Sequence, residues 1–307
     1  MAPVSHTVPT LIWEPISPAT LERYVPIARL ENSRSADFAP GNLYIWDQTY
    51  RQQIAFFGER ACVRMTEERG FRYLFPIGTG ALAPIIAALA EECRQSGIPL
   101  KLIGTTEKHL AELAAEGLLE LFDVTESRDY EDYLYTARSL ATLSGKKLHA
   151  KRNHVNAFSA SHVWQALPLA PSHFDTCRAL LLAWSNASEQ ANSGEQAAIL
   201  RALDAFGPLS LSGALLIADG QPVAFTIGEL LTPDTLCVHF EKAHPDWRTA
   251  YPVINREYVR MMLERHPALE YVNREDDMGL ENLRTAKLSY RPLSMVRKFA
   301  LTLSKDL

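Results

Sequence analysis

The stretch LSGALLIADGQPVAFTIGELLTPDTLCVHF, residues 211–240, decides the fold because it carries three strand patterns in succession. Leu211–Ala218 and Val223–Leu230 are apolar runs joined by an Asp-Gly-Gln-Pro sequence, which is typical of a hairpin turn. Thr235–Phe240 follows a second turn sequence, Thr-Pro-Asp. The stretch therefore predicts an antiparallel meander of three strands.

The rest of the second half places two helices before this meander and alternates helices with strands after it. Amphipathic periodicity predicts helices over Phe174–Ala187, Glu195–Phe206, Tyr251–His266 and Leu280–Leu288. Short apolar runs predict strands over Leu269–Asn273 and Ser294–Leu303. The order is helices, three strands, helix, strand, helix, strand.

The first half repeats this order with unrelated residues. Helices are predicted over Pro18–Leu30, Leu82–Ser96, Glu107–Ala115 and Glu131–Leu143. Strands are predicted over Ile54–Phe57, Ala61–Met65, Phe71–Ile77, Leu100–Gly104 and Leu119–Val124.

This order of elements is that of the N-acetyltransferase-like (GNAT-like) acyltransferase fold. The sequence thus predicts an α/β (α+β) protein of two tandem acetyltransferase-like domains, each a mixed, mostly antiparallel sheet flanked by helices. The predicted domains are 1–166 and 167–307, with a short linker at Leu167–Pro171. The alternative is an α/β protein with mixed sheets and no assigned fold.

Composition and charge restrict the class of partner. The 307 residues are 47% hydrophobic, as in a globular protein with a core, and their net charge of −5 argues against DNA as a partner. The longest apolar run, Ala81–Ala90, is about half of the roughly 20 residues that cross a bilayer. We therefore expect a cytoplasmic protein without a membrane span. The four cysteines (Cys62, Cys93, Cys177, Cys237) form no close pair and are predicted to be buried thiols, not a disulfide frame or a zinc site.

The densest polar stretch is YVNREDDMGLENLRTAKLSYRP, residues 271–292. Its NREDD segment, residues 273–277, lies between a predicted strand and a predicted helix that carries Arg284 and Lys287. Solubility alone does not require a cation, three carboxylates and an amide at such a junction. The stretch therefore indicates a binding or catalytic site.

Two other interpretations of this junction remain open. Metal-dependent hydrolysis through Glu275, Asp276 and Asp277 is disfavoured, because three successive residues cannot all face one ion from regular structure. The structural interpretation is that Asp276 or Asp277 caps the following helix while Arg274 pairs with Glu275 or Glu281.

A basic segment, KKLHAKRNHVNAF, covers residues 146–158. Its cations form a local positive site in a net-acidic chain, suited to phosphate groups on a substrate. Asn153, Asn156 and Phe158 alternate with the cations, which favours a shaped site over a polymer-binding surface. The alternative is a solvated surface loop.

The sequence offers one candidate turn for acyl-CoA. A CoA pyrophosphate needs a glycine-containing loop whose amides face it. The second half has no glycine at the corresponding place, Phe240–Arg248, and Pro245 removes an amide donor there. The first half has Gly78 and Gly80 before a predicted helix, which fits either an anion-binding turn or an ordinary tight turn.

Three motifs together carry a family resemblance: the basic segment, HFEKA (residues 239–243) and residues 271–292. They resemble a soluble bacterial family of unknown function grouped with the C-terminal catalytic domain of phosphatidylglycerol lysyltransferases. The resemblance covers nearly the whole chain and implies a tandem acetyltransferase-like fold, similar also to the Fem peptidoglycan aminoacyltransferases. Those relatives move an aminoacyl group from a charged tRNA to a lipid head group or a peptide amine. Full-length lysyltransferases carry a multi-helix membrane domain ahead of this region, which we do not expect here.

The resemblance also implies roles for particular residues. The implied catalytic residues are Glu241, Asn273, Arg274, Glu275 and Asp277. The implied substrate-binding residues are Lys151, Arg152, Asn153, Asn156, Lys242, Asn255, Arg284, Lys287 and Tyr290. No metal ligand is assigned.

The first functional hypothesis is a cytoplasmic acyl- or aminoacyltransferase that moves its group to an amine or hydroxyl acceptor, with charged tRNA as donor and a phosphate-bearing or other small-molecule substrate. The second is a small-molecule N-acetyltransferase that uses acetyl-CoA. The third is a non-catalytic ligand-binding protein on the same fold.

Overall fold

The computed structural model describes residues 10–68, 70–187 and 193–305. The chain forms two compact units, of which the first contains residues 10–32, 46–128 and 297–305, and the second contains 33–45 and 129–296. These units do not coincide with the predicted halves 1–166 and 167–307. The difference arises because each unit takes strands from distant parts of the chain.

The described residues form the following helices and strands. The α-helices are α1 Pro18–Glu31, α2 Pro40–Tyr50, α3 Ala83–Gln95, α4 Glu107–Ala115, α5 Ala137–Thr142, α6 His149–Ser161, α7 Phe174–Ala187, α8 Ser193–Asp204, α9 Tyr251–Arg265 and α10 Glu281–Leu288. The strands are β1 Glu14–Pro15, β2 Gln52–Phe57, β3 Arg60–Glu67, β4 Gly70–Leu74, β5 Ile77–Gly78, β6 Lys101–Thr105, β7 Phe122–Glu126, β8 Asp132–Thr136, β9 Trp164–Pro168, β10 Ser212–Ala218, β11 Gln221–Thr232, β12 Thr235–Ala243, β13 Tyr271–Asn273, β14 Ser294–Val296 and β15 Phe299–Leu303.

Each unit contains one mixed sheet. The sheet of the first unit has the order β1-β2-β3-β4-β6-β15-β7, with β5 paired to β3, and the sheet of the second unit has the order β14-β8-β13-β12-β11-β10-β9. Each sheet has one parallel pair, β4 with β6 and β12 with β13, and its other pairs are antiparallel. The prediction of two mixed, mostly antiparallel sheets flanked by helices is confirmed.

The meander predicted from residues 211–240 is also confirmed. β10, β11 and β12 pair in antiparallel order, and the turn between the first two lies at Asp219 and Gly220. Asp219 has a φ of 51° and Gly220 a φ of 78°, as a tight hairpin turn requires. The turn sequence at Asp219 and Gly220 therefore sets the register of β10 against β11.

Two predicted elements are wrong because the chain changes structure within them. Glu131–Leu143, predicted as one helix, contains the strand β8 followed by the short helix α5. β8 lies between β13 and β14, and Tyr133, Leu134 and Tyr135 are all buried, so the strand shows no alternation of apolar and polar residues. Ser294–Leu303, predicted as one strand, is β14 and β15, which belong to different sheets.

Two further segments differ from the predictions. The predicted linker Leu167–Pro171 overlaps β9, which pairs with β10 at the edge of the second sheet. The basic segment is a short 3-10 turn, Lys146–Leu148, followed by α6, so it is not the surface loop that was the alternative interpretation.

Helices α7 and α9 lie on opposite faces of the second sheet. Glu241 on β12 contacts α9, whereas the next residue, Lys242, contacts Trp184 of α7. Successive side chains of a strand point to opposite faces, so the two helices cover the two faces. Val253, Ile254 and other apolar residues of α9 belong to the core cluster of this unit.

The four cysteines are buried, as predicted. Among the described residues, no helix combines the length and the apolar character that spanning a bilayer requires.

Gly228 lies where the register of β11 against β12 shifts. A Cβ added there would lie 2.0 Å from the carbonyl oxygen of Cys237 and 2.9 Å from the hydroxyl of Tyr258. The carbonyl oxygen belongs to the backbone and cannot move aside as a side chain can. We therefore expect Gly228→Ala to lower the free energy of unfolding by roughly 1–3 kcal/mol or more. Gly207→Ala is the matched control, since a Cβ there meets nothing within 4 Å. Urea denaturation of both variants tests this, and equal stability would contradict the close approach at Gly228.

Candidate functional site

A buried polar cluster forms where β12 and β13 end. Glu241 near the end of β12 accepts hydrogen bonds from Asn255 Nδ2 of α9 at 2.9 Å and from Arg274 Nη2 at 3.2 Å. Arg274 directly follows β13, which is parallel to β12, so both side chains emerge at the same edge of the sheet. Their side chains are only 10% and 13% exposed.

Aromatic and basic residues complete this cluster. Arg274 lies over the ring of Tyr290 with 4.8 Å to its centroid, and Lys151 Nζ of α6 lies over the same ring at 4.2 Å. Burial lowers the pKa of Lys151, and the charge of Arg274 lowers it further. Burial raises the pKa of Tyr290 above its ordinary value. We call Lys151, Glu241, Asn255, Arg274 and Tyr290 the Arg274 cluster.

Two atoms of the Arg274 cluster have no hydrogen-bond partner among the described residues. They are Nη1 of Arg274, a donor, and Oδ1 of Asn255, an acceptor, and both are buried. An unpaired buried donor or acceptor costs about 1–3 kcal/mol, so each of these atoms favours a further hydrogen bond. The cluster thus offers one donor and one acceptor to a water molecule or a ligand group.

Glu275 does not join this cluster, although it follows Arg274. Its Oε1 lies 2.7 Å from Nδ1 of His239, whose Nε2 lies 2.9 Å from Oε1 of Glu229. Cys237 Sγ is 3.6 Å from the same Nδ1. Burial alone would lower the pKa of His239, but Cys237, Glu229 and Glu275 together raise it well above its ordinary value. We call these four residues the His239 cluster.

Sequence reasoning missed the His239 cluster because its members come from three strands or their ends. One signal was present in the CVHFE sequence, residues 237–241, where Cys237 and His239 are two residues apart, the spacing at which side chains of a strand share a face. The parallel register of β12 with β13, Cys237 opposite Asn273, then brings Glu275 beside His239. That register is not visible in the sequence.

Asp277 lies in a third environment. Its side chain is fully buried and accepts hydrogen bonds from Arg284 Nη2 at 2.8 Å, from the Tyr133 hydroxyl and from the amide of Gly279 at 2.9 Å. Burial opposes ionisation, but these partners lower the pKa of Asp277 well below its usual range. Arg284 also contacts Asp129 at 2.7 Å.

The three successive carboxylates thus face different surroundings, as expected for adjacent residues. The interpretation that Asp276 or Asp277 caps the helix is wrong. α10 has Leu280 at its N-cap position, with no side-chain hydrogen bond. Asp276 and Asp277 instead accept hydrogen bonds from the amides of Met278 and Gly279, within the turn that precedes α10.

Asn273 and Lys287 hold the backbone of this segment. Asn273 Nδ2 donates to Asp132 Oδ2 at 2.9 Å, and its Oδ1 accepts from the amide of Glu275 at 2.6 Å. Lys287 Nζ donates to the carbonyl oxygens of Arg274, at 2.6 Å, and of Asp276. Burial lowers the pKa of Lys287. Asn273 was predicted to be catalytic and Lys287 to bind substrate, and both lie buried against the backbone that positions Arg274 and Glu275.

The remaining predicted residues lie outside the Arg274 cluster. Lys242 pairs with Glu195 at 2.8 Å and lies over Trp184 on the opposite face of the sheet. Arg152 Nη1 donates to the carbonyl oxygen of Leu143, which ends α5, at 2.6 Å. Asn153 and Asn156 are exposed on α6.

The glycine turn of the first unit has its amides engaged. Gly78 and Gly80 both have positive φ, as a tight turn requires. The amide of Leu82 lies 2.8 Å from Oε1 of Glu116, and the amide of Ala83 lies 3.1 Å from its Oε2. A carboxylate thus already occupies the helix N-terminus that a pyrophosphate would need.

Comparison with known proteins places these observations in a family. A crystal structure of a conserved protein of unknown function from Bacteroides thetaiotaomicron has a TM-score of 0.89 and 31% identity, covering 96% of this chain and 100% of that one. The C-terminal domain of a putative lysylphosphatidylglycerol synthetase from Agrobacterium fabrum has a TM-score of 0.67 and 15% identity, covering 94% and 93%.

Among curated proteins, an uncharacterized protein of Mycoplasmoides gallisepticum is 27% identical over 176 residues, which are 55% of this chain. The match spans about half of that relative, 54% of its length.

More distant structures support the fold alone. FemX has a TM-score of 0.59 at 8% identity, and a tandem GNAT protein from the clavulanic acid biosynthesis pathway has a TM-score of 0.52 at 9% identity. The predicted tandem GNAT-like fold is therefore confirmed.

The family described as "Phosphatidylglycerol lysyltransferase, C-terminal" matches residues 28–302, which include both clusters. The chain belongs to the phosphatidylglycerol lysyltransferase C-terminal family.

Proposed function

We propose that the protein is an acyl- or aminoacyltransferase and that the Arg274 cluster binds the group that is transferred. The observation that supports this most is the pair of buried, unpaired atoms, Arg274 Nη1 and Asn255 Oδ1, which share Glu241 as a neighbour. An aminoacyl ester offers the complementary groups, a carbonyl oxygen for the guanidinium and an amino group for the amide oxygen.

The reaction follows from these positions. The acceptor amine or hydroxyl attacks the carbonyl carbon of the donor ester, so that a new C–N or C–O bond forms and the bond to the donor oxygen breaks. Arg274 Nη1 donates to the carbonyl oxygen as it becomes negative. Glu241 takes the proton of the attacking group, and that proton then passes to the departing donor oxygen.

Lys151 and the cations before it suit a substrate that carries phosphate. Lys151 belongs to the Arg274 cluster, and Lys146 and Lys147 are exposed at the start of the same basic segment. Charged tRNA as donor and a lipid head group as acceptor both carry phosphate groups that such cations attract. Family membership and the likeness to lysylphosphatidylglycerol synthetase domains support aminoacyl transfer as the class.

The CoA-dependent alternative is the weaker one, since Glu116 already binds the amides at the glycine turn. The Glu116 carboxylate would have to lose its hydrogen bonds to the amides of Leu82 and Ala83 before a pyrophosphate could bind there. The non-catalytic alternative uses the same Arg274 cluster and differs only in the lack of turnover.

We expect the purified protein to transfer a labelled amino acid from a mixture of aminoacyl-tRNAs to phosphatidylglycerol vesicles or to an amine acceptor. Glu241→Gln should lower kcat by about 10²–10⁴ because the proton acceptor is lost. Arg274→Gln should lower it by about 10²–10³ because the oxyanion loses a donor. Initial rates of labelled-product formation at saturating substrate measure both effects.

Glu264→Gln and Arg265→Gln serve as matched controls, because both residues are exposed at the end of α9. The double variant Glu241→Gln/Arg274→Gln removes both buried charges together, and its melting temperature separates lost activity from unfolding. Wild-type rates in both single variants would refute the assignment. Binding of an aminoacyl analogue without turnover would favour a ligand-binding protein, and tight binding of acetyl-CoA would favour the CoA alternative.

Asp277 has a structural role in this proposal, because its carboxylate is closed off by Arg284 and Tyr133. We expect Asp277→Asn to lower the free energy of unfolding at pH 7 by up to about 3–5 kcal/mol, as breaking a buried ion pair does. The folded state lowers the pKa of Asp277, so its stabilisation is present above the unfolded pKa of about 3.9 and is lost as pH falls below it.

Urea denaturation at several pH values measures this, and the difference between Asp277→Asn and wild type should shrink on acidification. Asp175→Asn, at a fully exposed carboxylate in the same unit, should show no such trend. If the Asp277→Asn protein were stable but inactive, the result would instead support the predicted catalytic role of Asp277.

A further inference from the structure

The parallel pairing of β12 and β13 brings three potential metal ligands together behind the Arg274 cluster. Cys237 and His239 are two residues apart on β12, where the register against β11 shifts, and Cys237 Sγ lies 3.6 Å from His239 Nδ1. Cys237 lies opposite Asn273 in the register, so Glu275, two residues further on, reaches the level of His239. Glu275 has a φ of 56°, a left-handed conformation that turns its side chain away from the direction of Arg274.

We propose that Cys237, His239 and Glu275 bind a divalent transition metal ion, with zinc as the best match. The ligand atoms Sγ, Nδ1 and Oε1 all lie within 4.8 Å of one another. A thiolate, an imidazole and a carboxylate form a ligand set that suits zinc, whereas calcium and magnesium prefer oxygen ligands. This proposal does not rest on the proposed transferase activity.

The distances are close to those of a tetrahedral site. With Zn–S near 2.3 Å and Zn–N and Zn–O near 2.0 Å, bound sulfur and nitrogen are separated by roughly 3.5 Å, and nitrogen and oxygen by roughly 3.3 Å. Cys237 Sγ is 3.6 Å from His239 Nδ1 and 3.8 Å from Glu275 Oε1. Only the 2.7 Å separation of Nδ1 and Oε1 must widen, by roughly 0.6 Å. Glu275 is the most exposed of the three, so its carboxylate has room to move.

The surroundings of His239 orient it as a metal ligand. Its Nε2 donates to Glu229 Oε1 at 2.9 Å, which leaves Nδ1 to face Cys237 and Glu275. Glu229 is itself fixed by the amides of Gly41 and Asn42, each at 3.2 Å. A histidine that donates its second nitrogen to an oriented carboxylate is the usual arrangement at protein zinc sites.

Some cation must separate Nδ1 from the Glu275 carboxylate, because two lone pairs at this distance repel. Without metal, a proton on Nδ1 fills this role and Cys237 keeps its thiol proton. Metal binding replaces both protons, and a water molecule completes the fourth position. The bound ion would fix the turn at Glu275 and, through it, the neighbouring Arg274.

The experiment is a metal titration of the intact protein. Protein stripped with EDTA is titrated with Zn²⁺ against a chromophoric chelator, and with Co²⁺ while the thiolate-to-cobalt absorption band is recorded. We expect one equivalent of metal and a thiolate band for wild type, and loss of both for Cys237→Ser and His239→Asn. Cys177→Ser, another fully buried cysteine in the same unit, is the matched control and should behave as wild type.

Two further variants keep the proposal falsifiable if the buried substitutions prevent folding. Glu275→Gln, at the partly exposed ligand, should weaken zinc affinity at least 10-fold, and Glu229→Gln should weaken it about 10–100-fold. The proposal would be overturned if folded wild type bound no zinc, or if Cys237→Ser and Glu275→Gln bound zinc with the affinity of wild type. Either result would leave a proton between His239 and Glu275. Neither result depends on finding a donor or an acceptor for the transfer reaction.

Discussion

The ammonium group of Lys287 is the constraint on which the polar junction depends. It lies inside the protein, donates to the carbonyl oxygens of Arg274 and Asp276, and thereby fixes the backbone on both sides of Glu275. Burying an ammonium group is costly unless such acceptors surround it. With this backbone held, Arg274, Glu275 and Asp277 are directed into three separate environments.

This separation explains how so many charges fit at one junction. Arg274 pairs with Glu241, Asp277 pairs with Arg284, and Glu275 lies against His239. Each charge therefore has an opposite partner or a hydrogen-bonding neighbour, and the neighbouring carboxylates Glu275 and Asp277 lie in different environments. Of these groups, only the Arg274 cluster retains unpaired buried polar atoms, Arg274 Nη1 and Asn255 Oδ1, within the described part of the chain.

The elements that depend on local pattern were predictable from the sequence. α7 was predicted with the bounds it has, Phe174–Ala187, because its amphipathic period and its ends are local signals. The strand β8 was not predicted, because it lies between two other strands of the sheet, is buried on both faces and shows no period of two. The division of Ser294–Leu303 into β14 and β15 depends on pairing partners far away in the chain.

The residues of the candidate site were also predictable only in part. The family resemblance predicted all five members of the Arg274 cluster, but it also included Lys242 and Arg152, which lie elsewhere for structural reasons. Residue type alone does not distinguish a cation that holds backbone carbonyls from one that faces a ligand. The His239 cluster was missed, since it exists only once β12 and β13 are paired in register.

A crystal structure of the protein soaked with an amino-acid amide, a stable analogue of an aminoacyl ester, tests the central claim most directly. We expect the carbonyl oxygen of the amide to lie within hydrogen-bond distance of Arg274 Nη1 and its amino group to donate to Asn255 Oδ1 beside Glu241. Arg274 Nη1 bound to a protein carbonyl oxygen, with the amide at another place or absent, would contradict it.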